Sequence, residues 1–139
     1  MRPNTLAEAV DRIRAGASQD ATLAEFVDTF DLAGSSEAQY GTIEDEPVLT
    51  QNDRLDALVG AIAEYLARQR RLGRVPASVC NPARRLAEPW FTASSSSEVM
   101  REYLTFASPA EFASRNIFTD ERPLRHARGP QKTAEVCVI

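Results

Sequence analysis

Residues 52–76 read NDRLDALVGAIAEYLARQRRLGRVP, and this stretch decides the fold. Leu55, Leu58, Val59, Ile62, Tyr65 and Leu66 recur at helical intervals and make one apolar face over about four turns. Asn52 or Asp53 can cap the start. Asp53 and Asp56 lie where a helix dipole favours negative charge, and Arg68, Arg70 and Arg71 lie where it favours positive charge. Gly73 and then Pro76 supply the stop. A helix with one wide apolar face needs other elements to cover it, and the flanking sequence offers more helices.

Upstream, Thr5 and Glu8 stand at capping-box spacing, and Leu6, Val10 and Ile13 predict a helix over 5–15 that Gly16 ends. Asp20 or Thr22 can cap a second helix carrying Leu23, Phe26, Val27 and Phe30. Residues 34–51 hold two glycines, Pro47 and the run Glu44-Asp45-Glu46, a composition that predicts a loop with one helical turn around Ser36 to Tyr40. This loop is the best internal sub-boundary. Downstream, Asn81-Pro82 opens a short helix through Leu86 that Pro89 ends, and Trp90-Phe91 anchors a turn. Caps among Ser94 to Ser97 precede a helix bearing Val99, Met100, Tyr103, Leu104 and Ala107, and Ser108 with Glu111 repeats the capping-box spacing. No window longer than about five residues alternates with period two. The expectation is therefore an all-α fold, a compact bundle of about five to six short helices with no sheet. Residues 1–128 read as one helical domain and 129–139, opened by Gly129-Pro130, as a flexible tail.

The 139 residues, 43% of them apolar, suit one domain, and no run approaches the ~18 apolar residues of a membrane span. With no leader-like apolar segment at the start, a cytoplasmic protein is expected. Sixteen basic against twenty acidic residues, a net charge of −4, argue against a broad nonspecific nucleic-acid binder. Cys80 and Cys137 lack CxxC spacing, so neither a zinc site nor a disulfide scaffold is indicated. The single histidine, His126, sits in the basic segment Leu124-Arg125-His126-Ala127-Arg128 and reads as a solvated or partner-facing turn rather than a catalytic group. Cys80 precedes Arg84 and Arg85 but has no second histidine to serve as its base. Glu44-Asp45-Glu46 lacks the glycine and spaced oxygens of a calcium loop. Phosphate-cradling glycine motifs and a GxSxG elbow do not occur. No enzyme, metal or cofactor is expected. Arg68, Arg70, Arg71 and Arg74 with Arg84 and Arg85 could form a basic patch, although helix-end complementarity accounts for them more simply. Trp90, Phe91, Tyr103, Phe106, Phe112 and Phe118 read first as core, with an exposed protein-binding patch as the alternative.

In combination, Arg54 to Leu58, Glu64-Tyr65-Leu66-Ala67, Pro89-Trp90-Phe91, Ser108 to Phe112, Arg115 to Phe118, Leu124 and Ala127 carry a pattern. It resembles a family of small bacterial helical proteins, mostly from high-GC species, encoded beside nucleotidyltransferase-fold proteins and regarded as antitoxin-like partners. The resemblance covers about residues 23 to 128. Family members often carry a helix-turn-helix domain ahead of this region, whereas residues 1–22 precede it here, which weighs against operator binding. The resemblance implies a non-enzymatic protein that neutralises a nucleotidyltransferase-like toxin, and an acidic surface suits a toxin with a basic cleft. On this view Trp90, Phe91, Phe112 and Phe118 organise the C-terminal helices, while Glu44, Asp45, Glu46, Arg68 and Arg71 are the candidate partner contacts. A helical transcriptional regulator, or an adaptor with DNA or another protein as partner, stays open as the alternative.

Overall fold

A computed structural model describes residues 1–93 and 97–127, and the tail expected over 129–139 lies outside them. The described residues form six α-helices: α1 Leu6–Arg14, α2 Gln19–Leu32, α3 Ser36–Ile43, α4 Asp53–Gln69, α5 Glu98–Ala107 and α6 Ala110–Ala113. The fold is all-α. Its helix starts follow local chemistry: the hydroxyls of Thr5, Ser18, Ser35 and Ser97 and the Asn52 carbonyl each accept an N–H from the first turn. At α1 the Glu8 carboxylate completes the exchange by accepting from Asn4 N at 2.9 Å. Helix α2 begins earlier than expected because Ser18, not Asp20 or Thr22, is its cap, which leaves Thr22 buried inside it.

One buried cluster runs from Leu6 to Ile117. Helices α1, α2 and α3 pack on one another, and α4 packs against α6 and the two 3₁₀ turns Ala77–Cys80 and Pro82–Arg84. The apolar face of α4 is only half of what it buries. Ala57, Gly60, Ala61, Ala63 and Ala67 are buried as well, whereas Leu58 and Tyr65 are only partly so. Small side chains let neighbours approach this second face closely: a Cβ on Gly60 would stand 3.1 Å from Arg84 Cβ and Cδ and 3.2 Å from Arg115 Nε.

Those two arginines are buried, at 1% and 5% exposure. Arg84 donates to the Asp56 and Pro47 carbonyls and faces the Glu46 carboxylate at 3.5 Å. Arg115 donates to Glu64 Oε1 at 2.8 Å, the Glu111 carbonyl at 2.7 Å and the Val79 carbonyl at 2.8 Å, so it holds α4, α6 and the first 3₁₀ turn together. Burial pushes the Glu64 carboxyl up, but its bonds to Arg115 and Arg68 outweigh this and hold it below the usual carboxylate range.

Four expectations need correction. The 34–51 segment contains a full helix, α3, because Ser35 caps it and Tyr40 and Ile43 bury against the core. The Asn81–Leu86 helix is the single 3₁₀ turn Pro82–Arg84, whose short span turns Arg84 inward. A sheet is present in its smallest form: β1 Trp90–Phe91 runs parallel to β2 Ile117–Phe118, in register Trp90 with Ile117 and Phe91 with Phe118. Trp90 N donates to the Asn116 carbonyl at 2.8 Å and Thr92 N to the Phe118 carbonyl at 3.0 Å. Ser108 caps the end of α5, its N–H donating to the Leu104 carbonyl at 3.1 Å, and not the start of the next helix. Its hydroxyl accepts from Thr119 N at 2.8 Å and reaches the Leu104 and Thr119 carbonyls, so it pins the end of α5 to the chain after β2.

Candidate functional site

The aromatic set divides by position. Phe112 is buried and meets Tyr65 edge to face, with ring centroids 5.6 Å apart. Phe91 and Phe118, opposite one another on the strand pair, stack at 5.0 Å, and Trp90 is half-buried beneath the Arg54 guanidinium. Of the four expected to organise the C-terminal helices, Phe112 alone is buried, and Trp90, Phe91 and Phe118 are half-buried on the strand pair. Tyr103 and Phe106 depart from the core expectation, at 49% and 82% exposure.

Together with Val99, at 78% exposure, Tyr103 and Phe106 occupy i, i+4 and i+7 of α5 and form one outer row. The side of α5 that faces inward carries Leu104, with Met100 and Ala107 half-buried beside it. Single exposed apolar residues are ordinary, whereas these three share one side of a ten-residue helix. Glu98 and Glu102, themselves i and i+4, lie along the flank of that row. Tyr103 also borders a cleft of about 670 Å³ whose wall is apolar at Trp90, Met100 and Phe112 and charged at Asp20, Asp120, Arg122 and Arg125. Spacing alone does not reveal this surface, because Val99, Met100, Tyr103 and Leu104 suit helix burial equally well from either side.

The charged candidates are less concentrated than their spacing suggests. Glu44 and Asp45 are exposed after α3, while Glu46 accepts from Asn81 Nδ2 at 3.2 Å and faces Arg84. Arg68 pairs with Glu64 at 2.9 Å and lies 3.8 Å from Glu111. Arg71 is exposed, Arg70 pairs with Asp31, and Arg74 stacks over the Tyr40 ring at 3.9 Å. Among the described residues no hydrogen bond or ion pair links Glu44, Asp45 or Glu46 with Arg68 or Arg71. Burial removes Arg84 from the surface, whereas Arg68, Arg71 and Arg74 together line a shallow cleft of about 360 Å³.

His126 is the group whose placement differs most from its local sequence. Its Nδ1 lies 2.9 Å from Asp28 Oδ1 and its Nε2 lies 3.3 Å from Asp31 Oδ2, and Asp31 also meets Arg70 from the end of α4. The ring borders a cleft of about 680 Å³ with Val27, Tyr65 and Leu66 in its wall. Both ring nitrogens face carboxylates of α2, and the arrangement fastens the C-terminal segment to that helix. Cys80 is an exposed free thiol. Burial, then the charge of Glu111, raises the Tyr65 hydroxyl above its usual value. Among the described residues no group of three His, Cys, Asp or Glu side chains could hold a metal ion, and no helix is long and apolar enough to cross a membrane. Comparison of the chain with known protein families, with curated proteins and with solved structures gives no match.

Proposed function

We propose that this chain is a non-enzymatic protein-binding protein of the cytoplasm, an antitoxin-like partner that binds and neutralises a nucleotidyltransferase-type toxin. The observation that carries the binding role is the outer row of α5, where Val99, Tyr103 and Phe106 leave large apolar surface in water. Covering one such side chain contributes about 1.5–3 kcal/mol, and aromatic anchors dominate binding energies at protein interfaces. The choice of partner rests on the resemblance carried by Pro89-Trp90-Phe91, Ser108 to Phe112 and Arg115 to Phe118. A net charge of −4 supports it, since an acidic protein approaches a basic nucleic-acid-handling cleft faster.

The tagged full chain, purified from its own host at native abundance, is expected to retain a nucleotidyltransferase-fold protein in stoichiometric amount. Co-expression is then expected to relieve the growth arrest that this protein causes alone. A lone monomer at physiological concentration would overturn the proposal.

A further inference from the structure

We infer that α5 is the ligand helix of the complex, and that its partner is a protein presenting an apolar groove bordered by lysine or arginine. The inference rests on the protein-binding reading above and specifies the surface and its chemistry. Val99, Tyr103 and Phe106 have the i, i+4, i+7 spacing with which an amphipathic helix enters a groove, and all three are exposed. The flanking row is acidic, Glu98 and Glu102, and neither carboxylate is held by an ion pair within the described chain. A groove that takes the apolar row therefore brings its own rim against two available negative charges, and a basic rim is the complement. Tyr103 extends the contact toward the mixed polar and apolar cleft that it shares with Trp90 and Met100.

A second copy of this chain is the poorer occupant. In an antiparallel two-fold pairing of α5 with α5, equivalent flanks face each other, which sets the Glu98 and Glu102 rows of the two copies side by side. Like charges so placed repel rather than hold a dimer.

The test places the photo-crosslinking residue p-benzoylphenylalanine at position 106 of the full-length chain in its own host. Phe106 is 82% exposed, so the substitution disturbs no core contact. One adduct with a second protein is expected, mapped to apolar residues between lysines or arginines. Glu98→Lys combined with Glu102→Lys should lower its yield about tenfold at physiological salt, through loss of charge complementarity. An adduct within the same chain, an adduct with a second copy, no adduct, or a yield unaffected by the charge reversal would each overturn the inference. The partner's fold decides the toxin reading separately. A grooved partner of another fold overturns that reading and leaves the α5 surface standing, whereas a nucleotidyltransferase-fold protein that co-purifies without crosslinking at position 106 does the reverse.

Discussion

Arg71 holds a left-handed φ of 52°, a conformation that costs an L-residue about 1–2 kcal/mol. It does so because α4 ends in a Schellman arrangement, with Leu72 N donating to the Ala67 carbonyl at 3.0 Å and Arg71 N to the Arg68 carbonyl at 3.2 Å. The residue that terminates the helix is therefore an arginine, two positions before the Gly73 that the sequence offers for the purpose. Arg71→Gly should relieve the strain at the expense of a more flexible unfolded chain, for a net gain of about 0.5 kcal/mol in urea unfolding. Loss of stability would mean that the Arg71 side chain makes a contact worth more than the strain. Asn116, at φ 66°, gives the contrast, since its Nδ2 donates to the Leu86 carbonyl at 2.7 Å and glycine there would forfeit that bond.

At the scale of elements, α4 is a helix approached closely on its small-residue face. Glycine inside a helix ordinarily gives up about 1 kcal/mol relative to alanine. At Gly60 the sign reverses, because an added Cβ meets Arg84 and Arg115, and both are anchored by hydrogen bonds to backbone carbonyls. Overpacking of this kind costs about 1–3 kcal/mol, so Gly60→Ala should lower stability by roughly 1 kcal/mol net and depress Tm. A higher Tm would show that the two guanidinium stems yield freely. Helix α5 differs from α4 in kind: it buries little beyond Leu104, so its apolar outer row adds nothing to the core and is available to a partner.

Across the whole molecule, polar side-chain contacts close the fold between distant segments. Arg115 joins Glu64 over 51 residues, and His126 reaches Asp28 over 98. Glu64 titrates below its usual 4.5 in the folded state, so its contribution to stability is complete above about pH 4.5 and is lost as pH falls through the lowered value. Glu64→Gln removes this titration and leaves the buried Arg115 charge unpaired. The variant should lose about 3 kcal/mol at pH 7 by urea unfolding, and the gap to the parent chain should narrow as pH is taken below 4.5. A gap independent of pH would place the Arg115 counter-charge elsewhere.

What the sequence determines by itself here is what acts within about four residues of chain. The caps at Thr5, Asn52 and Ser97, the apolar period of α4 and its charged ends are all of that kind, and all-α follows from them. The tertiary structure decides what depends on which segments meet. Trp90 pairs with Ile117 through runs of two residues, too short for any alternation to show. Arg84 and Arg115 resemble surface arginines until Gly60 admits them to the core. The candidate site divides along the same line: the Trp90, Phe91, Phe112 and Phe118 cluster is legible as packing, whereas the exposed row of α5 is not. Apolar spacing shows that a helix has a face to cover, and only the arrangement of its neighbours determines which face is left open.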